Sequence, residues 1–504
     1  MLLNIKSIKD TLRTDSGING DAQRIEQIIW VLFLKLYDIY EKKWKFNASF
    51  NDETYNSILP EHLSWDKWAK AYDENGKALS GVLTGDELLS FVNNDLLPTL
   101  KNLNITAQTP LNQKIIKKAF EDANNYCKDG ICLRALINEI DKIDFKEKQD
   151  EKELSLVYES FLKELQSAGK AGEFYTPRAV TDFIMKILKP SLNESIADLA
   201  CGTGGFLISA YHYIDENNPQ MSANDRANLS QAFFGIEKKQ LPYILCATNF
   251  LVNHIDNPNL EHDNAFSKNF SELYKEPKFD IIAMNPPYGG AENESTKTLF
   301  PANYKSSETA DLFMAIITER LKEHGRAAVV LPDGFLFGND SAKINLKKRL
   351  IDEMNLHLIV RLPASVFAPY TSITTNILFF TKEPNTLGGT YIYRLDLAGG
   401  VKFSKTKPMK EEHFSSFWAW QKELENGKNA ELFDENSEQK AGFFSTEFLK
   451  SREYNLDLCG YPSKDEEILE PFALIEKYKN KQAKASQEIS KILEQITDIL
   501  KQNA

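Results

Sequence analysis

The chain has 504 residues, 72 Asp and Glu against 60 Lys and Arg, and a formal net charge of -12. That length exceeds what one hydrophobic core organises, so two or three domains are expected, and the acidic balance argues against tight binding to a polyanion by this chain alone. Cysteines at 127, 132, 201, 246 and 459 form no C-x-x-C pair and are odd in number, the seven histidines show no H-E-x-x-H or finger spacing, and neither a secretory signal nor a membrane-length apolar run is evident; the expectations are a reducing cytoplasm, no membrane and no metal.

Between Asp21 and Trp44, Ile25, Ile28, Ile29, Leu32, Phe33 and Leu36 recur at helical spacing, with charged residues over much of the opposite face. Further helices are expected over 86–97 and 110–126, which makes residues 1–165 an N-terminal helical domain. Trp65 and Trp68, three apart, read as packing anchors rather than as stacking platforms for a base, and Lys117 and Lys118 as a solvated helix face. The charged stretch over 141–170 has helical spacing, breaks at Gly169 and Gly172, and leads into the next domain.

From 172 to 395 strands alternate with helices, the pattern of a mostly parallel α/β sheet covered on both faces. Strands are expected at 195–199, 233–237, near 260–265, and at 279–284, 326–331, 357–361 and 376–381. A helix from Thr309 to Lys322 is expected to carry no chemistry of its own, and His262 reads as a packing or surface residue. Past residue 400 the rhythm fades through a polar stretch holding Phe414, Phe417, Trp418 and Trp420, for which the sequence offers no function. Near the end, Ile475, Tyr478, Gln482, Ala485, Ile489, Ile492, Ile496 and Ile499 step by threes and fours, as in a long helix that sets one stripe against a partner helix or folds back on its own domain.

Two motifs carry the chemistry. Asp198 ends an apolar strand and opens a Gly-rich turn, Leu199-Ala200-Cys201-Gly202-Thr203-Gly204-Gly205, before a helix. The glycines let the backbone approach a ligand closely, yet neither G-x-G-x-x-G nor a Gly-Lys-Ser/Thr ending is present, so the loop suits adenosine joined to an amino acid rather than a dinucleotide or triphosphate. Asp198 would face the cationic part of S-adenosylmethionine, and Glu237, at the end of the strand Phe233-Phe234-Gly235-Ile236-Glu237, would accept its ribose hydroxyls. The second motif, Asn285-Pro286-Pro287-Tyr288, follows the run Phe279-Asp280-Ile281-Ile282-Ala283-Met284. The Asn285 oxygen and the Pro286 carbonyl can accept hydrogen bonds from a planar NH2, Pro287 stiffens the loop, and Tyr288 can stack on the ring that carries the amine. Alone, either motif also occurs as ordinary turn structure; together, with Glu237 between them and each after an apolar strand, they describe one site.

These residues resemble the methyltransferases that modify adenine N6 in DNA. Gly172-Glu173-Phe174-Tyr175-Thr176-Pro177-Arg178, Gly325 through Gly334, Leu358 through Pro363, and Phe367 through Phe380 extend the likeness to the modification (M) subunit of type I restriction-modification systems, over residues 1 to 400 in order. The resemblance implies a Rossmann-like S-adenosylmethionine-dependent catalytic domain over 166–400 and a C-terminal region over 401–504 ending in a partner-binding helix. It also implies Phe174, Tyr175 and Thr176 at the cofactor, Asp198, Gly202, Thr203 and Gly204 in its loop, Glu237 at the ribose and Asn264 at the cofactor adenine. Asp263 and Tyr288 stand where relatives often have Gly and Phe. The implied partners are a specificity (S) subunit, a second M subunit around one S, a restriction (R) subunit, and double-stranded DNA with its target adenine flipped out. Two alternatives stay open: a glutamine N5-methyltransferase, whose substrate is also a planar NH2, and a noncatalytic assembly subunit that kept the fold.

Overall fold

The computed structural model describes residues 10–142 and 175–462, apart from 74, 289, 291, 369–370, 398–401 and 405–406, together with 155, 158, 159, 162, 479 and 482. The chain divides into two compact units, Met1–Gly460 and Tyr461–Ala504. Apart from Gln482, the stripe expected over 475–499 lies outside the described residues, as does most of the 141–170 stretch.

The N-terminal helices pack around Asp21–Phe50, which buries Ile25, Ile28, Ile29, Leu32, Phe33 and Leu36 as its spacing requires. The helix runs six residues past Trp44, and its second face is used too: Tyr40 donates to the Leu251 carbonyl at 2.8 Å, and Trp44 Nε1 approaches Asp256 at 3.4 Å, both beside the helix Gln240–Val252 of the α/β part. Over 86–97 the structure has a helix Gly85–Phe91, a π turn Val92–Leu96 and a further helix Leu97–Lys101. Pro98 supplies the reason, since its ring crowds the carbonyl four residues back and its nitrogen donates nothing. Leu111–Phe120 is helical, and Gly130–Asp141 adds a helix that the sequence reading did not place. Trp65 and Trp68 are core anchors, with indole nitrogens bonded to Asp141 at 2.6 Å and to the Leu63 carbonyl at 3.1 Å. Lys118 departs from the expected solvated face: it is half-buried and paired with Glu261.

The strands are β1 (Ile196–Asp198), β2 (Phe233–Glu237), β3 (Asn259–His262), β4 (Phe279–Met284), β5 (Leu321–Pro332), β6 (Asn355–Leu362), β7 (Thr375–Thr381), β8 (Gly389–Arg394), β9 (Leu432–Phe433) and β10 (Gln439–Ser445). They form one sheet in the order β3-β2-β1-β4-β5-β7-β6-β8-β10-β9. β3 through β5 in that order are parallel, and β7 runs antiparallel between β5 and β6. After β1 the chain builds outward to β2 and β3, then crosses to the other side of β1 to lay down β4. That reversal opens a crevice beyond the carboxyl ends of β1 and β4, where ligands bind in such sheets.

The sheet continues past residue 400, because β10 pairs antiparallel with β8 from Ala441 opposite Tyr393 to Ser445 opposite Gly389. The aromatic cluster near 414–420 acquires a role here. Phe414 stacks on Phe183 with centroids 3.9 Å apart, Phe417 meets Tyr393 edge-on at 5.3 Å, and Trp420 lies 4.9 Å from Tyr393, so the helix Ser415–Glu425 plugs one face of the sheet. Buried arginines close the carboxyl ends of β6 and β8: Arg361 bonds Asp333 and Asp457, and Arg394 bonds Asp396 and Asp434. Among the described residues no helix is long and apolar enough to cross a membrane, and the five cysteines are free and buried.

Candidate active site

Three strand ends build the site. Asp198 closes β1 and is 1% exposed; its Oδ1 accepts the Ala200 N–H at 3.1 Å. Glu237 closes β2, and its two oxygens accept the N–H groups of Gly202 at 3.0 Å and Lys239 at 2.7 Å, so this carboxylate also shapes the Gly-rich turn. Asn285 follows β4 directly. Burial pushes the Asp198 carboxyl up to about 8, with the neighbouring Glu237 charge adding to the effect. Burial raises Glu237 as well, against the pull of its two backbone donors.

The turn needs its glycines for different reasons. Gly202 has φ 53° and Gly204 φ 81°, both left-handed. A Cβ on Gly204 would stand 2.8 Å from Cys246 Sγ and 3.2 Å from the Phe250 ring, so the turn is also pressed against the helix behind it. The helix Gly205–Asn217 then starts with its N-terminus beside the cavity.

A cavity of about 360 Å³ joins these parts. Thr176, Asp198, Gly202, Thr203, Glu237, Asn264, Asn285, Pro287 and Tyr288 line it, so the two motifs share one space. Tyr175 and Pro286 are buried and lie outside the lining, as does Gly204, and Phe174 falls outside the described residues. Asn264 uses its Oδ1 to accept the Phe266 N–H at 3.1 Å.

The Asn285 amide is engaged at both ends. Its Nδ2 donates to Thr176 Oγ1 at 3.2 Å, and its Oδ1 accepts the Tyr288 hydroxyl, which also lies 3.1 Å from the Val330 carbonyl on β5. The sequence reading left that oxygen open for a substrate amine. Here the tyrosine hydroxyl, absent from a phenylalanine at this position, occupies it.

Sequence reasoning missed several wall residues. Asp263 and Phe266 flank Asn264, and Lys238 follows Glu237. The helix Thr309–Arg320, expected to be chemically silent, contributes Thr309 and Phe313. Thr309 pins the loop after the tetrapeptide, with its N–H and hydroxyl both donating to the Gly290 carbonyl at 3.2 and 2.9 Å. A lone Thr at a helix start carries no pattern that marks such contacts in sequence. His262 does what its surroundings suggested, lying 5.1 Å from the Tyr243 ring with Nδ1 3.2 Å from Glu121.

The sequence matches the N-6 DNA Methylase family over residues 149–468 and the HsdM N-terminal domain over residues 4–140. It is 43% identical over 502 residues to the type I restriction enzyme EcoEI methylase subunit of Escherichia coli, an alignment covering 98% of this chain and 96% of that one. Among solved structures, a modification subunit from Vibrio vulnificus YJ016 has 31% identity and a TM-score of 0.73 over 92% of this chain and 97% of its own. A chain solved in work on complex assembly and conformational transition of the type I R-M system has 29% identity and a TM-score of 0.76, covering 99% of this chain and 98% of that one. A mixed sheet whose parallel strands gather acids and amide at one crevice, a helical N-terminal part and relatives matched over nearly their whole length lead to one statement: this chain belongs to the N-6 DNA methylase family as a methylase subunit of a type I restriction-modification system, an adenine-specific DNA methyltransferase acting at N6.

Proposed function

We propose that the crevice beyond β1, β2 and β4 holds S-adenosylmethionine and one extruded adenine side by side. The observation that carries this reading is that Asp198, Glu237 and Asn285, on three neighbouring strands, line a single cavity. The donor set suits the cofactor: two buried carboxylates favour a ligand that brings positive charge and hydroxyl donors, and the left-handed glycines leave backbone open to it. Asp198 would hold the cationic end, Glu237 the ribose, the Gly202–Gly204 turn the amino-acid end, and Asn264 the cofactor adenine, with Thr176 on the adjoining wall and Tyr175 packed behind it. When bound, S-adenosylmethionine supplies an activated methyl group for adenine N6.

The chain's own residues make that nitrogen reactive. The N6 lone pair is delocalised into the ring, and acceptors that hold the amine protons favour tetrahedral character and stabilise the charge that grows there. Asn285 Oδ1 is the acceptor on the cavity wall; the Pro286 carbonyl joins it once the loop adjusts around a base. Tyr288 gives up its bond to Asn285 and stacks on the adenine, while Pro287 keeps the loop stiff. Alignment of nitrogen and methyl carbon supplies much of the rate. A paired base cannot reach this depth, so the adenine flips out of the duplex.

With a net charge of -12, the chain takes its sequence recognition from a specificity subunit, two methylase chains surround one such subunit, and a restriction subunit joins to cleave. The helical domain is assigned to residues 1–165 and the catalytic domain to residues from 166 onward, with a C-terminal boundary moved from 400 to take in β10, which pairs with β8. The cytoplasm is the expected compartment. Asn285→Ala should keep cofactor affinity and lose methylation by about a hundredfold or more, the scale of a lost transition-state acceptor. Asp198→Ala should weaken cofactor binding instead. Near-normal turnover in the first variant, or an unchanged dissociation constant in the second, removes that residue from its role.

A further inference from the structure

We propose that Thr176 is a positioning residue for the catalytic amide, a role separate from contact with the cofactor; this deepens the reading of Asn285 given above and rests on it. An asparagine can serve an amine substrate only through its oxygen. With the amide turned over, its own NH2 would face the NH2 of adenine, donor against donor. The Asn285 nitrogen must therefore be held away from the substrate by an acceptor, and Thr176 Oγ1, 3.2 Å from Nδ2, is in place to do it.

Position strengthens the case. Thr176 lies 109 residues before Asn285 and reaches the same cavity wall from the segment that enters the helix Arg178–Leu188. Its carbonyl lies 4.0 Å from where a Cβ on Gly205 would stand, so the backbone of Thr176 borders the Gly-rich turn while its hydroxyl meets the amide. One residue thus touches both halves of the site. Donation from Nδ2 to Oγ1 also polarises the amide and makes Oδ1 the stronger acceptor. Tyr288 occupies Oδ1 before a base arrives, and Thr176 keeps the amide in the same plane when Tyr288 moves to stack.

The test uses the assembled methylase with its DNA target and compares Thr176→Val, which keeps the shape and removes the acceptor, with Thr176→Ser, which keeps the hydroxyl. Single-turnover methyl transfer at saturating cofactor, where any change in S-adenosylmethionine affinity no longer counts, should fall by about tenfold or more in the valine variant and recover to within about threefold in the serine variant. Asn285→Asp supplies the independent arm. A carboxylate has two equivalent acceptors and no N–H to orient, so adding Thr176→Val to Asn285→Asp should cost far less than it costs alone. Equal costs on the two backgrounds overturn the proposal, as does a valine variant that loses cofactor affinity yet transfers methyl at the normal rate once saturated. If Asn285→Ala itself turns over normally, the failure lies with the role given to Asn285.

Discussion

The Asp198→Asn variant tests the electrostatics of the crevice directly. Burial pushes the Asp198 carboxyl up to about 8 from an ordinary 3.8. Between those values the folded protein keeps a proton that the unfolded chain has released, so this group's contribution is fully present below the unfolded value and is lost as pH rises through the folded one. The slope is about 1.4 kcal/mol per pH unit, so from about pH 5.5 to pH 7.5 the cofactor-free wild type should lose about 2.7 kcal/mol through Asp198 alone. An amide of the same shape takes up no proton. Urea unfolding of both proteins at the two pH values should show the wild type losing about 2–3 kcal/mol more than the variant across the interval. Cofactor binding gives a second readout of opposite sign. A cationic ligand favours ionised Asp198, so wild-type affinity should rise by up to about tenfold per pH unit and level off near the folded value, while the variant stays weak and flat. Parallel stability curves for the two proteins would falsify the claim that Asp198 carries this proton.

Two further outcomes follow from the same geometry, and a third from the helical pattern near the end of the sequence. Tyr288→Phe removes the hydroxyl that competes for Asn285 Oδ1 and keeps the stacking face; a net hydrogen bond is about 1 kcal/mol, so the KM for target DNA should fall by about threefold to tenfold, and a rise in KM would mean that the hydroxyl helps to bind the base. Gly204→Ala puts a methyl group 2.8 Å from Cys246 Sγ on a residue with φ 81°, so thermal unfolding should reveal a loss of about 1–3 kcal/mol together with weaker cofactor binding; an unchanged Tm would show that the turn relaxes freely. Deleting residues 465–504 should impair co-purification with the specificity subunit and spare cofactor binding; an intact complex would move that interface elsewhere.

Much of the α/β part was legible because its strands are short apolar runs that stop at residues of unusual chemistry. Asp198, Glu237 and Asn285 mark the ends of β1, β2 and β4 in the sequence itself, and a parallel sheet brings such ends to one edge. What the sequence did not mark falls into two kinds. β8, β9 and β10 were missed because their stability comes from pairing: Gln439–Ser445 mixes polar, small and aromatic residues and reads as a strand only beside Gly389–Arg394. The aromatic residues at 414–420 had no role legible in the sequence until Phe183, Tyr391 and Tyr393 supplied the surface they cover.

The site divides in the same way. Residue types and spacing by themselves determined which groups could hold a cofactor and an amine, since carboxylates, left-handed glycines and an amide after a stiff proline pair have chemistry that does not depend on distant neighbours. Tertiary structure alone decided what those groups face. Thr176 meets Asn285 across 109 residues, Thr309 pins Gly290, and the Tyr288 hydroxyl lies on the Asn285 oxygen instead of leaving it open. Local pattern is set by the chain's own backbone, whereas hydrogen-bond partners and buried charge depend on which remote segments the folded core brings within about 3 Å of one another.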